Sequence, residues 1–143
     1  MKPNYTPQYS EILILICIIN IIFSTYFVTV FLVGVVFKIF LESLKKQHYY
    51  ILGFSIVSFM IIEVIQGFKL FSLTAIALFL YYFIIPRIKH TFSSSVMSEF
   101  IYIFLFYLIT FIVNIFYSAL TLNVYYVYLY NFIIDIIVVG FII

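Results

Sequence analysis

The sequence predicts an all-α integral membrane protein, a single transmembrane domain made of a bundle of six, or alternatively five, short helices. Hydrophobic residues make up 67% of the 143 residues, and charged residues make up only 8%. A soluble domain carries about 25% charged residues, which cover its water-exposed surface. The few charges of this chain also lie mostly at the ends of long apolar runs. Both observations indicate a chain that is solvated by the lipid bilayer.

Three apolar runs, residues 12–41, 49–86 and 100–143, account for most of the chain. One crossing of a hydrocarbon core about 30 Å thick takes about 20 helical residues, so little room is left for anything besides helices and their connections. Basic clusters at 45–48 and 87–90 separate the runs. The positive-inside rule places both clusters in the cytoplasm, so an even number of crossings must lie between them.

The first run admits two interpretations. As a single helix it would be about 45 Å long, which fits either one strongly tilted span or two short spans that turn near Ser24 and Thr25. A single span gives five crossings and an N-terminus outside the cell. Two spans give six crossings with both termini inside, and Lys2 near the N-terminus favours this second arrangement.

The middle run must fold back once, because as one helix it would be about 55 Å long. The strongly polar and glycine residues in its middle are Glu63, Gln66, Gly67 and Lys69. Glycine readily adopts the left-handed conformation with which many helices end. We therefore predict two short helices, at about 50–65 and 70–86, that meet at the outer surface.

The last run predicts a second hairpin. A polar connection spans residues 87–99, and Ser98 with Glu99 is a plausible helix start because a hydroxyl caps helix N-termini and an acidic side chain favours the first turn. The run that follows would be about 66 Å long as one helix. We expect it to turn near Leu122 and Asn123 and to return the C-terminus to the cytoplasm.

Asp135 is the most conspicuous polar residue, because it falls near the middle of the final predicted span. A carboxylate there costs about 2.5 to 3.5 kcal/mol on insertion scales, so it must face protein or water. It is either a buried contact or ion-coupling site, or a hydrogen-bonded structural residue. Asn131 precedes it by one helical turn on the same face, and both Asn131 and Asn114 are possible partners for its carboxyl group.

The preceding helix carries a polar stripe whose members are spaced three or four residues apart and share one side. The stripe consists of Tyr107, Thr110, Asn114, Ser118 and Thr121. We interpret it as a set of hydrogen bonds that join the last two helices, each worth about 1 kcal/mol or less in a membrane. A permeation path is the alternative.

Two further charges have competing interpretations. Lys38 either extends its stem to the cytoplasmic surface or pairs with Asp135. Glu63 either forms a local charge pair with Lys69 around the tip of the middle hairpin or provides an outward-facing contact for a partner protein.

The sequence offers no motif for catalysis, metals or cofactors. Cys17 is the single cysteine, and His48 and His90 both lie beside basic residues at segment ends. The chain has no HExxH, no CxxC and no glycine-rich phosphate loop. One intramembrane carboxyl group does not supply the paired acid and base of a membrane hydrolase. We therefore expect no enzyme activity, no metal and no cofactor, and the net charge of +2 gives no support for nucleic-acid binding.

The stretch ILGFSIVSFMIIEVIQGFKLFSLTAIALFLYYFIIPRIK, residues 51–89, resembles the middle of the rod-shape-determining protein MreD. In that family a glycine-led short helix ends in an acidic residue and a small turn, and a second helix runs to a basic cytoplasmic loop. The matching residues here are Gly53, Glu63, Gly67, Leu70, Arg87 and Lys89. The family commonly has a second glycine after the turn, where this chain has Phe71, and often has a proline in the last helix, where this chain has none.

The resemblance covers about residues 49–143, including Asn131 early in the last helix. It implies a six-helix fold similar to the substrate-binding subunits of energy-coupling-factor transporters. It also implies a non-catalytic scaffold of the bacterial cell-elongation machinery, which acts in peptidoglycan synthesis and cell shape, in the inner membrane beside MreC, MreB, RodA and its transpeptidase partner. A small-molecule binding or transport subunit, with Asn114 and Asp135 at its site, is the alternative. The candidate interaction or buried polar residues are Glu63, Gly67, Lys69, Asn114, Asn131 and Asp135.

Overall fold

The computed structural model describes residues 6–25, 32–91, 95–117 and 122–142. The helices are α1 (Thr6–Thr25), α2 (Val33–Lys46), α3 (Tyr49–Gln66), α4 (Ser72–Phe79), a π-helical segment (Leu80–Ile84), α5 (Ile85–Lys89), α6 (Ser95–Tyr117) and α7 (Leu122–Ile142). Because α4, the π-helical segment and α5 follow one another without a break, the described residues form six helical rods. No strand occurs among these residues, so the all-α prediction is confirmed.

Three of the rods are long and apolar enough to cross a membrane, namely Tyr49–Gln66, Ser72–Lys89 and Val96–Phe116. Gln8–Ser24 and Tyr126–Phe141 are shorter apolar helices. Many large apolar side chains lie exposed on the outside of the bundle, including those on α1, α3 and α7. Exposed apolar side chains in this number are suited to contact with lipid.

The first apolar run contains two helices. α1 ends at Thr25, close to the turn predicted near Ser24, and α2 begins at Val33. Residues 26–31 lie outside the described part of the chain. The arrangement of two short helices is therefore the one observed, and the single tilted span is wrong.

Helix α2 is the central element of the bundle. Its 14 residues extend about 21 Å, which is less than the thickness of a hydrocarbon core. It packs against α3, α4, α6 and α7, and most of its side chains are buried. Phe37 stacks on Phe106 of α6 with ring centroids 4.3 Å apart, and Phe40 meets Phe59 of α3 edge to face at 5.8 Å. These aromatic contacts hold the short helix in the core.

The middle run folds back as predicted, with helical boundaries at Gln66 and Ser72. Gly67 ends α3 in the left-handed region, with φ of 73°, and the next amide N–H donates to the carbonyl oxygen of Glu63 at 2.9 Å. The π-helical segment precedes Pro86. Proline lacks an N–H and its ring clashes with the carbonyl four residues earlier, and a local widening of the helix relieves that clash.

We call the end of the bundle where α2 ends at Lys46 and α5 ends at Lys89 the basic end. The other end, where Gly67 lies, is the opposite end. At the basic end, α6 begins at Ser95, so Glu99 lies in its second turn and the predicted start at Ser98 is wrong. At the opposite end, α6 ends at Tyr117 and α7 begins at Leu122, so the turn predicted near Leu122 and Asn123 falls at the start of α7, next to residues 118–121, which lie outside the described chain.

Candidate functional site: two buried carboxyl groups at helix N-termini

Two acidic side chains, Glu63 and Asp135, are fully buried, with 0% of each residue exposed. Each carboxyl group lies against the N-terminus of a short helix. The first N–H groups of a helix have no partner inside the helix, and the aligned peptide dipoles make this end positive. A buried carboxyl group placed there is stabilised without a cationic side chain.

Asp135 joins three helices. Its Oδ2 accepts a hydrogen bond from the backbone N–H of Gly34 at 2.7 Å. Gly34 is the second residue of α2. The same oxygen accepts a hydrogen bond from the Tyr107 hydroxyl of α6. Asp135 itself lies on α7, so the carboxyl group links α2, α6 and α7 at one point.

This contact places the start of α2 deep inside the bundle. Tyr107 and Asp135 lie near the middle of α6 and α7, and both meet the first turn of α2. A carboxyl group at this depth is costly when it is unsatisfied. The free N–H groups of a helix that starts at the same depth would be costly as well. Each group therefore compensates for the other.

Gly34 makes this approach possible. A Cβ atom at this position would lie 2.8 Å from Oδ2 of Asp135 and 3.0 Å from Cγ2 of Ile103. Real Cβ contacts are not this short, so any other residue would have to displace the carboxyl group. Sequence reasoning missed Gly34. The available signal was that it is the only glycine in the first apolar run, because glycine inside a membrane helix often marks a close backbone approach.

The asparagines expected to bind Asp135 bind other groups. Asn114 Nδ2 donates to the Thr110 carbonyl oxygen at 3.0 Å and also contacts the Tyr128 hydroxyl of α7. Asn131 is buried, and its Nδ2 donates to the carbonyl oxygen of Val127 at 2.8 Å. The expected pairing of Asp135 with either asparagine is therefore wrong.

The polar stripe of α6 does reach the neighbouring helix. Tyr107 and Asn114 each hydrogen-bond a side chain of α7, as the stripe predicts for groups that join the last two helices. Thr110 instead donates back to the carbonyl oxygen of Phe106 at 2.8 Å. Ser118 and Thr121 lie outside the described residues.

Glu63 caps helix α4. Its Oε2 accepts the backbone N–H of Phe71 at 2.7 Å, and its Oε1 accepts the backbone N–H of Leu73 at 2.6 Å. The Ser72 hydroxyl lies 3.4 Å from Oε1. Because the side chain is buried and fully engaged in this way, the expected charge pair with Lys69 is wrong. The expected role of Glu63 as an outward-facing contact is wrong for the same reason.

Phe71 adopts the conformation that glycine favours. Its φ of 66° lies in the left-handed region, immediately before the first residue of α4. This backbone conformation costs residues other than glycine about 1 to 2 kcal/mol, and the hydrogen bond from the Phe71 N–H to Glu63 holds the phenylalanine in it.

The remaining predicted residues lie at the surface or at the basic end. Gly67 and Lys69 are exposed at the opposite end. Lys38 does not pair with Asp135, so that interpretation is wrong. Its stem extends toward the basic end, where its Nζ lies 3.1 Å from Oε2 of Glu99 near the start of α6.

The described residues contain no group of three or more His, Cys, Asp or Glu side chains that could hold a metal ion. No family model matches the chain, and no curated protein or solved structure matches it. The geometry of the two capped helices is thus the main guide to function.

Proposed function

We propose that the protein is a non-catalytic membrane scaffold that acts by binding partner membrane proteins, and that it serves the bacterial cell-elongation machinery in the way the resemblance to MreD implies. One observation carries the proposal. Both fully buried carboxyl groups, Glu63 and Asp135, are used to hold helix ends. The interior charges therefore build the bundle, and the outward helix faces and short connections are left for contact.

The middle hairpin supports the resemblance. In the family pattern an acidic residue precedes a small turn, and a glycine follows that turn. In this chain the acidic residue, Glu63, caps the helix after the turn. Phe71 adopts a glycine-like conformation at the position of the family's glycine. The pattern of residue types thus has a physical basis in the geometry of the turn.

The opposite-end tip is the best candidate for partner contact. We define it as Gly67, Lys69, Leu70 and Phe71, all of which are exposed. Leu70 and Phe71 are more than half exposed, at 55% and 53%. Apolar side chains next to an exposed lysine, at the end of a membrane bundle, are suited to a partner that contributes an apolar segment with an acidic or polar flank.

Depletion and co-purification test the proposal. We expect depletion to produce round or swollen cells, and we expect MreC to co-purify with the chain from detergent extracts. Leu70→Ser should weaken this association without removing the protein from the membrane. Leu129→Ser is a matched control, because Leu129 is similarly exposed on the side of α7. Normal cell shape after clean deletion, with no wall-synthesis partner recovered, would reject the scaffold.

The orientation in the inner membrane is tested separately. If the basic end faces the cytoplasm, a reporter active only in the periplasm should be silent after Lys46 or Lys89 and active after Gly67. Activity after Lys46 would overturn the proposed orientation, including a cytoplasmic C-terminus.

A small-molecule binding or transport subunit is the second candidate, and one observation favours it. Oδ1 of Asp135 is buried and has no hydrogen-bond partner among the described residues. A small cation or a proton would satisfy that oxygen. A ligand that raises the melting temperature of the purified protein, and loses this effect in Asp135→Asn, would favour the carrier over the scaffold.

A further inference from the structure

Helix α1 presents a line of exposed residues to the outside of the bundle. The line consists of Glu11, Leu15, Ile18 and Ile22, at spacings of four, three and four residues. Glu11 is exposed, and the three apolar side chains are each about half exposed. The same alternation of spacings defines the seam along which two helices pack in a coiled coil. We call these four residues the outer α1 face.

The other side of α1 faces the bundle. Leu13, Ile16 and Asn20 are buried there, and α1 packs against α3. Leu13 follows Glu11 by two residues, which is a rotation of roughly 200° about the helix axis. The lysines of α2 that approach α1 lie beside Tyr9, which is four residues before Leu13 and so on the inner side. The Glu11 side chain therefore points away from the bundle and from these lysines.

Glu11 differs from the other acidic residues of the chain, which has five in all. Each of the other four binds a lysine or backbone N–H groups inside the bundle. These four are Glu42, Glu63, Glu99 and Asp135. The carboxyl group of Glu11 forms no ion pair or hydrogen bond with the residues that the structure describes. Within that part of the chain, Glu11 is thus the acidic residue left for a group outside the bundle.

The depth of Glu11 follows from the alignment of α1 with α3. The Cys17 thiol donates a hydrogen bond to the Ser58 hydroxyl at 3.4 Å, and both helices run away from the basic end. Glu11 lies six residues before Cys17, so its level on α3 is six residues before Ser58, about 5 Å inside Tyr49. Tyr49 and Tyr50 are exposed, as is typical of tyrosines at a membrane boundary. In a bilayer, the outer α1 face therefore lies against hydrocarbon, with Glu11 near the boundary.

Charge decides between the possible occupants of the outer α1 face. Hydrocarbon covers the three apolar side chains but gives the carboxylate no partner. A second copy of the chain is disfavoured, because a two-fold axis along the membrane normal brings equivalent residues together and sets Glu11 against Glu11. A helix with a cationic side chain at the same depth instead complements the carboxylate. We propose that the outer α1 face binds a membrane-spanning helix of a different protein, which places an arginine or lysine side chain against Glu11.

The partner helix has a defined chemistry. Its contact side carries apolar residues at alternating spacings of three and four, and a basic residue about one turn from the end of its span. The long stem of such a residue lets its charged group reach the boundary of the hydrocarbon. The outer α1 face is separate from the opposite-end tip. Its assignment rests on the proposed function only in that the protein binds partner membrane proteins, and it does not depend on which complex they form.

Binding of a synthetic helix tests the proposal. The probe is a peptide of about 24 leucine and alanine residues, with an arginine one turn inside each end so that either orientation places one at the level of Glu11. The full chain, with a donor fluorophore at its C-terminus, is reconstituted with acceptor-labelled peptide in phosphatidylcholine vesicles, and energy transfer reports binding. The wild type should bind this peptide about tenfold more tightly than a peptide with glutamine at the two positions. Glu11→Gln should remove this preference, and Glu11→Lys should prefer a peptide with glutamate there.

Two matched variants make the assignment specific. Glu42→Gln removes the same charge at the basic end but on the inner side of α1, and it should keep the preference for the arginine peptide. Leu15→Ala should weaken binding of that peptide, whereas Leu129→Ala, at a similarly exposed position on α7, should not. An equal loss in Glu42→Gln or in Leu129→Ala would overturn the site. The melting temperature of each variant shows whether the bundle remains folded.

Three further results would reject a partner helix. Equal binding of the arginine and glutamine peptides to the wild type would mean that Glu11 faces only water and headgroups. Loss of the preference when phosphatidylethanolamine replaces phosphatidylcholine would assign the carboxylate to a lipid amine. Energy transfer between two labelled copies of the chain, lost in Leu15→Ala, would assign the face to a second copy. None of these measurements depends on cell shape or on MreC, so failure of this inference is distinguishable from failure of the scaffold.

Discussion

Replacing Gly34 by alanine tests the contact on which the centre of the bundle depends. The added Cβ would lie 2.8 Å from Oδ2 of Asp135, 3.0 Å from Cγ2 of Ile103 and 3.2 Å from Cβ of Asp135. Two of these neighbours belong to one side chain, so the simplest adjustment moves Asp135 away from α2. The N–H of Gly34 and the carboxyl group would then both lose their partner.

The expected magnitude follows from this adjustment. A hydrogen bond to a charged group contributes about 1.5 to 3 kcal/mol, and an overpacked core that keeps the bond is strained by about 1 to 3 kcal/mol. Alanine gains up to about 1 kcal/mol in helix propensity over glycine. The free energy of unfolding should therefore fall by about 2 kcal/mol, which is roughly a 30-fold change in the folding equilibrium.

Unfolding of the purified protein in mixed micelles, followed by far-ultraviolet circular dichroism, measures this change. Gly53→Ala is the matched control, because Gly53 lies within a helix and a Cβ there meets nothing within 4 Å. That variant should be neutral or more stable by up to about 1 kcal/mol. The double variant Gly34→Ala with Asp135→Ala should lose less unfolding free energy than the two single variants lose together, because truncating Asp135 removes the clash with the new Cβ. Equal effects of the two glycine substitutions would refute the reasoning.

The same unfolding assay tests four other predictions. Asp135→Asn should lower the free energy of unfolding by about 1 kcal/mol, because the amide oxygen still accepts hydrogen bonds. Asp135→Leu should lower it by about 2 to 4 kcal/mol, because the Gly34 N–H and the Tyr107 hydroxyl are then buried without a partner. Equal tolerance of both would mean that the side chain is incidental. Tyr107→Phe removes one of those donors and should cost about 1 kcal/mol, and a loss as large as that of Asp135→Leu would count against this geometry. Glu63→Leu should be more damaging than Glu63→Gln by about 1 to 2 kcal/mol, since glutamine still caps one N–H of α4; the opposite order would argue against the cap. Phe71→Gly should be more stable than Phe71→Ala by about 1 kcal/mol, because both remove the ring and only alanine keeps the cost of the left-handed backbone; a more stable alanine variant would contradict that conformation.

The helices themselves could be predicted largely from sequence. Hydropathy and Gly67 predicted the turn of the middle hairpin to within a few residues. A glycine that can end a helix, between two apolar segments each long enough to span a membrane, leaves few other positions for the turn. The cost of a carboxyl group in lipid also predicted that Asp135 faces protein or water, and the residue is buried in protein. The predicted start of α6 at Ser98 was wrong because a polar residue was taken as the helix end, whereas the helix already begins at Ser95.

The partners of the charged residues could not be predicted. A helical face shows which side chains point together, but it does not show which other helix begins opposite them. Asp135 meets a backbone N–H 101 residues away, and a backbone donor leaves no mark in residue types apart from the glycine beside it. The pairing of Lys38 with Glu99 likewise depends on how far α2 extends along α6, which the apolar pattern leaves open.

The two capped helices differ in the time at which their caps become available during synthesis. Glu63 lies eight residues before Phe71, so the cap of α4 forms as soon as that hairpin has entered the membrane. The cap of α2 comes from α7, which is made after the other described helices. Before α7 is inserted, the Gly34 N–H at the start of α2 lacks the carboxyl group that accepts it, and the surrounding core is not yet held together. Because α7 is made after α2 and α6, its insertion is the step that joins these helices, and a nascent chain that stalls before α7 should be recognised as incompletely folded by membrane proteases.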